Sequence, residues 1–414
     1  MPLAMLLVMA LIAHSPSAAP AETGGAGQVE QLPPLGETPF DRQGMWVWYV
    51  ERSEGGSIPA IVARAKSAGI GTVYVKAGDG DDIWSQFDTP LVKALHRGGL
   101  DVCAWQYVYG DRPVAEAKVG AVAAQRGADC LAIDAEAEYE GKYASADLYV
   151  RALRARIGPD FPLSLAAFPY VDYHPSFPYS VFFGPGGATY NQPQMYWRSI
   201  QTSVRSVYEH TFLHNRLWGH PIYPIGQTYE GPSKGELKLF RRFASSFGGR
   251  APSWWSWQET SGPEWGALGA DSADRPVVGY QPVVEHPLLK RGSRGDLVVW
   301  AQQHLIGAGQ VQVPVTGVFG KTTFSAVRSF QVAQGLPADG QIGTTTWQAL
   351  LEFTPYRMRW AGGTQMGSAG GAGTAAADMA SAGGAATARV SKPRRPLSAS
   401  LPAVAYEIRP GPGP

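Results

Sequence analysis

Apolar runs alternate with amphipathic segments along residues 44–260, and the alternation repeats roughly every 30 residues. Each repeat opens with a short apolar run typical of a buried strand and continues with apolar positions at helical spacing. The predicted strands are residues 45–49, 72–76, 101–107, 129–136, 162–168, 189–196, 221–227 and 253–258. The predicted helices are residues 58–68, 90–98, 114–126, 144–157, 203–213 and 234–247. Residues 175–187 contain too many Pro and Gly residues for a helix and are predicted to form a loop.

Eight strands that alternate with helices predict an α/β fold, a (β/α)8 barrel of the TIM type over residues 44–260. The alternative is an open, doubly wound sheet, which usually carries a glycine-rich phosphate-binding turn after its first strand. Here the first predicted strand ends at Trp48-Tyr49-Val50, which offers no such turn. The barrel is therefore the favoured fold, and the carboxyl ends of its strands are expected to face the active site.

The fourth predicted strand, residues 129–136, ends in carboxylates. Side chains alternate across a strand, so Asp134 and Glu136 share a face that is expected to point to the barrel centre. The apolar members of the other face are expected to pack on the helices: Leu131, Ile133 and Ala135. Asp134 and Glu136 then stand where a barrel holds its catalytic groups. The alternative is that Asp134 caps the next helix and residues 136–140 form a solvated loop.

This pair suits the hydrolysis of a glycosidic bond, in which one carboxylic acid protonates the leaving oxygen and a second group stabilises or traps the oxocarbenium-like centre. Glu136 is the predicted acid, because aromatic walls and the charge of Asp134 are expected to raise its pKa. Asp134 is its predicted electrostatic partner, with Asp79 and Asp172 as alternatives. The two Cα atoms are expected to lie roughly 6.6 Å apart along the strand, which leaves both retaining and inverting outcomes open.

Polar and aromatic residues at the ends of the other predicted strands are expected to bind the substrate. They are Trp48, Lys76, Asp79, Tyr107, Asp172, Gln194, Tyr196, Gln227, Trp255 and Trp257. Strand alternation predicts that Trp255 and Trp257 share a face, where one of the two rings forms the floor of a sugar-binding site. It also predicts that Trp254 packs on helices. Lys76 has an alternative role as an ion-pair partner of Asp134, and Tyr196 has an alternative role as an ordinary core aromatic.

Composition excludes several classes of function. The chain has 414 residues and a net charge of +1, which gives no basis for binding nucleic acid or a membrane surface. The sequence contains no His/Cys cluster with metal-ligand spacing and no G-x-S-x-G motif, so neither a metal nor another cofactor is expected. Cys103 and Cys130 fall in neighbouring predicted strands. We expect two free, buried cysteines, and a disulfide stays open as the alternative.

The segments outside the predicted barrel differ from it in composition. Residues 1–21 join an apolar run to Ala19-Pro20-Ala21, which fits the cleavage pattern of a secretory signal peptide, although no Lys or Arg precedes the run. The run is too short for a membrane span, so a secreted protein is expected. Residues 22–43 are predicted to be a linker, residues 261–287 a polar connector, and residues 362–414 a disordered tail rich in Gly, Ala and Ser.

Residues 288–351 form a compact segment with an apolar periodicity of its own. It opens with Leu-Lys-Arg-Gly-Ser-Arg-Gly-Asp-Leu-Val at 289–298, continues with Gly-Val-Phe-Gly-Lys-Thr-Thr at 317–323, and closes with Thr-Trp-Gln-Ala-Leu at 346–350. These positions, in this order, resemble a peptidoglycan-binding domain of the three-helix type, which implies binding to peptidoglycan. The expected helical core consists of Val298, Leu305, Val327, Phe330 and Leu350. A role as a mere spacer is the alternative.

Residues 44–260 resemble, more weakly, the glycoside-hydrolase-like barrels related to the family 25 lysozymes, in which a D-x-E motif on the fourth strand supplies the acid. Asp134 and Glu136 match that motif. The chitinase-like barrels share carboxylates on the fourth strand and an M-x-Y-type sixth strand, which Met195-Tyr196 matches loosely. The chain departs from the lysozymes at its first strand, because residues 45–50 contain no aspartate. A different glycan or a lost activity therefore stays open.

Together the two resemblances predict a secreted, cell-wall-associated bacterial glycoside hydrolase that acts on peptidoglycan or a related wall glycan and is anchored by its small domain. The second hypothesis is a non-catalytic wall protein whose barrel binds glycan without cutting it. A wall amidase or peptidase is disfavoured, because the sequence has neither a metal-ligand cluster nor a nucleophile motif. No nucleic-acid partner is expected, and the oligomeric state stays open.

Overall fold

The structure is a computed structural model that describes residues 38–248, 250–269 and 275–360. Its first unit is a barrel in which parallel strands alternate with helices. The strands are β1 (Gly44–Val47), β2 (Thr72–Asp79), β3 (Asp101–Val108), β4 (Cys130–Ala135), β5 (Leu163–Ala167), β6 (Tyr190–Pro193), β7 (Ile225–Gln227) and β8 (Ser253–Trp255). The helices of this unit are α1 (Ile58–Ser67), α2 (Thr89–Arg97), α3 (Pro113–Gln125), α4 (Tyr143–Ile157), α5 (Tyr179–Phe182), α6 (Val204–Asn215), α7 (Lys234–Ser246) and α8 (Gly262–Leu268).

The barrel strands lie in the order β6-β5-β4-β3-β2-β1-β8-β7, and each neighbouring pair is parallel. Two isolated parallel bridges, Asn191 to Ile222 and Gln194 to Ile225, join the two ends of this series and close the barrel. A short antiparallel strand, Asp82–Ile83, pairs with the end of β2. The predicted (β/α)8 barrel is therefore confirmed, with strand ends that differ by a few residues from the predicted bounds.

Several helices begin at capping residues that the sequence makes visible. Ser57 accepts a hydrogen bond from the backbone N–H of Ala60 at the start of α1, and Asp88 accepts one from Leu91 at the start of α2. Ser233 forms a capping box at the start of α7. These side chains satisfy N–H groups that a helix start leaves without an intrahelical partner, which explains why the predicted helix starts lie close to the observed ones.

The two faces of the barrel strands form two separate layers. Outward apolar side chains pack under the helices, and for β4 these are the predicted residues: Leu131, Ile133 and Ala135. Inward side chains form an aromatic layer inside the barrel: Trp46, Tyr74, Trp105, Tyr107, Tyr190, Tyr223 and Trp255. The rings of Trp46 and Tyr74 stack with centroids 4.7 Å apart. Because these rings fill the interior, the polar residues at the carboxyl-terminal rim rest on a packed, apolar floor.

Residues 38–41, which belong to the predicted linker, close the other end of the barrel. Pro39–Asp41 form a 3-10 turn in which Phe40 is buried against Tyr190, with ring centroids 4.5 Å apart. The hydroxyl of Thr72 donates a hydrogen bond to the backbone oxygen of Pro39 at 2.6 Å. The linker prediction was wrong for these residues, because one buried ring does not stand out in a segment rich in Pro, Gly and Gln.

Cys103 and Cys130 form a disulfide, so the expectation of two free cysteines was wrong. They are direct partners across β3 and β4, with Cα atoms 4.5 Å apart, and both side chains are fully buried inside the barrel. Both strands were predicted correctly. The register that sets the two side chains opposite each other is fixed by the whole sheet, however, and is not visible in either strand alone.

Three local predictions also differ from the structure. The predicted loop 175–187 contains the short helix α5, and the predicted connector begins with α8, which starts at a capping box. Trp254 packs on the helix layer as expected, with its ring 5.2 Å from that of Phe240 on α7. Trp257 does not share a face with Trp255, because β8 ends at Trp255 and a 3-10 turn follows. Trp257 instead packs on Trp265 of α8, outside the barrel.

The second unit contains α9 (Asp296–Gly307), α10 (Lys321–Ala333) and α11 (Thr344–Leu351). An antiparallel bridge between Leu289 and Ile342 ties its first residues to the turn before α11. Its core contains the predicted residues, each of which is buried: Val298, Leu305, Val327, Phe330 and Leu350. The segment after α11 returns to the barrel, where Trp360 is buried against α4 and α9.

The second unit is docked on the barrel through polar and aromatic contacts. The Asp296 carboxylate, in the first turn of α9, accepts hydrogen bonds from the backbone N–H and the hydroxyl of Ser180 at 2.7 and 2.5 Å. The Trp300 indole donates a hydrogen bond to the backbone oxygen of Leu217 at 2.6 Å. Because these groups are buried, the contact between the two units forms part of the folded structure.

Some predictions concern residues that the structure does not describe. The predicted signal peptide (residues 1–21), the linker up to residue 37 and the tail (residues 362–414) lie outside the described residues. Within the described part of the chain, none of the helices has the length and apolar content needed to cross a membrane.

Candidate active site

Asp134 and Glu136 lie together at the carboxyl-terminal rim of the barrel. Asp134 is near the end of β4, and Glu136 follows the strand directly. The side-chain amide of Gln194, just beyond β6, donates hydrogen bonds to Asp134 Oδ1 at 3.0 Å and to Glu136 Oε1 at 3.1 Å. Asp134 is 4% exposed and Glu136 is 5% exposed. One amide nitrogen therefore holds two buried carboxyl groups side by side, and three predicted site residues come together.

Burial makes both carboxyl groups weaker acids than usual. It raises the pKa of Glu136 to about 7, while the hydrogen bond from Gln194 opposes this shift and the charge of Glu138 adds to it. Burial and the charge of Glu136 raise the pKa of Asp134, and the Lys76 ammonium opposes that rise. The pair therefore retains a proton near neutral pH, and its titration belongs to both groups together. A carboxyl that stays protonated beside a second carboxyl is what general acid catalysis requires.

Tyr107 and Glu138 extend the site along the rim. The Tyr107 hydroxyl donates a hydrogen bond to Glu138 Oε2 at 2.7 Å, and Tyr107 is the β3 partner of Asp134 in the sheet. Glu138 was missed in the sequence analysis because it lies past the strand, in the 3-10 turn Ala137–Tyr139. The available signal was the run of acidic residues at alternate positions from Asp134 to Glu140.

Lys76 and Asp79 form a second charged pair beside the carboxyl groups. Lys76 Nζ lies 2.7 Å from Asp79 Oδ2, so its ion-pair partner is Asp79 rather than Asp134. The same nitrogen lies 5.2, 4.6 and 4.7 Å from the ring centroids of Trp48, Trp84 and Trp105. Burial lowers the pKa of Lys76, and the charge of Asp79 opposes this. The three rings favour the charged ammonium through cation–π contacts, and they fix its position next to the site.

The carboxyl pair lines a small pocket in the mouth of the barrel. The pocket measures about 10 Å³, roughly the space of one water molecule. Its other walls are Trp46, Ala166, Gln194, Tyr196, Ile225 and Trp255. The ring of Trp48 lies beside this pocket, 5.9 Å from that of Trp255. The space is too small for a sugar ring, so a glycan must lie across the mouth of the pocket or displace a side chain.

Seven residues predicted for the site do not line this pocket. Four of them are described above (Trp48, Lys76, Asp79 and Tyr107), and the other three make different contacts. Trp257 packs outside the barrel on α8. Gln227 accepts a hydrogen bond from the backbone N–H of Arg198 at 2.7 Å and thereby supports the loop after β6. Asp172 lies beyond β5, in the 3-10 turn Val171–Tyr173, where its Oδ1 is 2.7 Å from His210 Nε2. These three residues therefore do not line the pocket, and their contact with a substrate stays a prediction.

Residues 294–350 match the peptidoglycan binding domain family, which confirms the resemblance noted for this segment. An uncharacterized protein in the bpoA1 3′ region of Kitasatospora aureofaciens is 35% identical over 85 residues, which cover 20% of this chain and 70% of that protein. The chain belongs to the family of that protein.

A spore cortex-lytic enzyme of Bacillus cereus is 38% identical over 89 residues, which cover 21% of this chain and 34% of the enzyme. The chain thus spans about a third of the length of that relative. Among solved structures, an endo-β-1,4-mannanase from Thermotoga petrophila has a TM-score of 0.44 at 9% identity, covering 62% of this chain and 82% of that chain. A family 25 glycosyl hydrolase from Bacillus anthracis has a TM-score of 0.27 at 12% identity, and the match covers 37% of this chain and 70% of that chain. At these TM-scores neither likeness supports a conclusion about activity.

Proposed function

We propose that this protein is a glycoside hydrolase of the bacterial cell wall that acts on peptidoglycan or a related wall glycan. The observation that carries the proposal is the buried carboxyl pair, Asp134 and Glu136, bridged by Gln194 at the rim of a barrel. A peptidoglycan-binding domain in the same chain, docked on that barrel, supports a wall polymer as the substrate. The name of the Bacillus cereus relative, a spore cortex-lytic enzyme, agrees with this substrate class.

In this proposal Glu136 is the general acid. Burial raises its pKa to about 7 and raises the pKa of Asp134 as well, so the pair holds a proton near neutral pH. In this proposal Glu136 delivers that proton to the glycosidic oxygen of a sugar lying across the pocket mouth. Asp134 faces the developing positive charge on the sugar. Gln194 fixes the orientation of both carboxyl groups, and the Trp48 and Trp255 rings offer flat apolar faces to the sugar.

A wall-glycan-binding protein without hydrolytic activity is the second candidate. One observation favours it. The residues that follow β1, Trp48 and Tyr49, contribute rings rather than a carboxylate to the rim.

Export belongs to the same proposal. Wall glycans lie outside the cytoplasmic membrane, and the sequence of residues 1–21 predicts a signal peptide that is cut before Glu22. Mass spectrometry of the secreted protein is expected to find an amino terminus at or near Glu22. Intact protein starting at Met1 and confined to the cytosol would contradict this part of the proposal.

The decisive assay measures new reducing ends released from purified, insoluble peptidoglycan. Glu136→Gln is expected to slow this release by about 10²–10⁴-fold, the usual contribution of general acid catalysis, with folding intact. Glu140→Gln is the matched control. It makes the same chemical change four positions on, at a carboxylate that bonds to His174 and Ser176 at 2.8 and 2.9 Å. It is expected to keep nearly full activity.

The other outcomes separate the remaining possibilities. A wild-type protein that binds the wall but releases no reducing ends from any wall glycan would establish the second candidate. Release of new amino groups without reducing ends would instead identify an amidase or peptidase. If the wild type is active and Glu136→Gln keeps its full rate, the acid is a different residue, and Asp79 is the next to test.

A further inference from the structure

Two histidines on α6 and one aspartate from the barrel rim converge on a single point. His210 and His214 are four positions apart, so they project from the same side of the helix. Asp172 reaches them from the 3-10 turn after β5. One ligand atom from each of the three side chains lies within 4.8 Å of the others. This cluster is separate from the pocket of the carboxyl pair.

The distances within the cluster suit a metal ion. Asp172 Oδ1 lies 2.7 Å from His210 Nε2 and 3.7 Å from His214 Nδ1. Ligands of a tetrahedral Zn²⁺ ion, bound at about 2.0–2.1 Å, lie about 3.3 Å from one another. The observed separations lie on either side of that value. His214 Nδ1 also lies 3.2 Å from the backbone oxygen of His210, so the His214 ring must rotate away from that oxygen to bind an ion. Two imidazoles with one carboxylate form a donor set that binds divalent transition metals.

Two other histidine–carboxylate pairs show what distinguishes this cluster. His96 lies 2.8 Å from Asp129, and His174 lies 2.8 Å from Glu140. Among the described residues, three such ligands come together only in the group of Asp172, His210 and His214. A simple ion pair needs one imidazole for one carboxylate, whereas here two rings converge on the same carboxylate oxygen.

The surroundings hold the rings in place and leave room for further ligands. The Tyr170 ring stacks on His210 with centroids 3.9 Å apart, and the Tyr173 ring lies 5.6 Å away at its edge. The His214 side chain is 9% exposed, whereas Asp172 and His210 remain 32% and 28% exposed. Water or a ligand group can therefore reach the exposed side of the cluster.

We propose that Asp172, His210 and His214 form a binding site for a divalent transition-metal ion, with Zn²⁺ as the ion that best fits the donor set. Such an ion would join the turn after β5 to α6 and would offer its remaining coordination positions to water or an anionic ligand. The sequence analysis, which expected no metal, did not count the pair His210 and His214, spaced by three residues, as a metal-ligand cluster. The third ligand lies 38 positions before His210, too far away for a local motif to include it.

The test uses the full chain without a histidine tag, treated with a chelator and then titrated with ZnCl₂ in a calorimeter. One Zn²⁺ per chain is expected, together with a rise in the thermal midpoint when Zn²⁺ is added. The single variants Asp172→Asn and His210→Gln are each expected to weaken binding at least tenfold and to reduce the thermal shift. Asp172 and His210 are partly exposed, so both variants are expected to fold, and circular dichroism checks this.

His96→Gln provides the matched control, because it removes an exposed histidine that pairs with a single aspartate. It is expected to leave the Zn²⁺ stoichiometry and affinity unchanged. The proposal is overturned if the wild type takes up no Zn²⁺ at concentrations up to 100 micromolar. It is also overturned if the folded Asp172→Asn and His210→Gln variants bind Zn²⁺ as tightly as the wild type, since the ion would then bind elsewhere.

Discussion

The protonation state of Glu136 can be tested without a known substrate, by measuring how stability depends on pH in the wild type and in Glu136→Gln. The ordinary pKa of this carboxyl is 4.5, and burial raises it to about 7 in the folded protein. Between these two values the folded protein binds more protons than the unfolded chain. The free energy of unfolding therefore falls as the pH rises through this window.

The size of the effect follows from the two pKa values. At about 1.4 kcal/mol per pKa unit, their difference corresponds to about 3 kcal/mol. This stability is fully present below pH 4.5 and is lost by the time the pH exceeds about 7. Glu136→Gln has no charge to bury. Its free energy of unfolding, relative to that of the wild type, is therefore expected to increase by about 3 kcal/mol between pH 4 and pH 8.

Urea unfolding followed by tryptophan fluorescence measures this difference across the pH range. Glu140→Gln is a control with the opposite sign, because the hydrogen bond from His174 lowers the pKa of Glu140. The ionised Glu140 stabilises the folded protein above its ordinary pKa, and this stability is lost as the pH falls. The free energy of unfolding of Glu140→Gln, relative to that of the wild type, is therefore expected to decrease as the pH rises toward neutral. If the wild-type and Glu136→Gln stability curves run parallel from pH 4 to pH 8, Glu136 is not held neutral by burial, and the acid role loses its physical basis.

Three further predictions concern the disulfide, the wall-binding unit and the docked interface. Replacing both Cys103 and Cys130 by Ala is expected to lower the free energy of unfolding by about 3.5 kcal/mol, because the disulfide closes a loop of 27 residues in the unfolded chain. A loss below about 1 kcal/mol in urea unfolding would contradict this. A fragment of residues 288–351 is expected to sediment with insoluble peptidoglycan. Sedimentation of residues 38–287 in its place would reverse the two roles. Asp296→Ala leaves the buried N–H of Ser180 without its acceptor. It is therefore expected to lower the free energy of unfolding by about 1–3 kcal/mol and to speed hydrogen exchange at Ser180. Unchanged exchange would argue against docking in solution.

The parts of the fold that sequence patterns predicted are those set by short-range rules. Residues 129–136 show this best. The period of two in their apolar and polar positions predicted that Ile133 faces the helices and Asp134 the barrel interior, and the structure agrees. Burial of one face of a strand dictates that pattern, so a single strand contains the information.

The parts that were missed depend on contacts between distant segments. Cys103 and Cys130 face each other because of sheet register, and Asp172 meets His210 across 38 positions. Phe40 closes the barrel from a segment whose composition resembles a linker. Trp257 was misplaced for a different reason, because the prediction continued strand alternation past the end of β8. The disulfide, the contact between Asp172 and His210, and the position of Phe40 can each be recognised only once the closed barrel is known.

The docked position of the second unit changes how a peptidoglycan-binding domain would serve the barrel. A flexible tether raises the effective concentration of a catalytic site near its polymer but leaves the orientation of that site free. Here Asp296 and Trp300, both on α9, are bonded to Ser180 and Leu217 of the barrel, so this side of the second unit is covered. A wall glycan must then reach the second unit on one of its other sides. The distance of the second unit from Glu136 is consequently set by the fold. Under the proposed function, anchoring would then select which part of the polymer lies over the carboxyl pair.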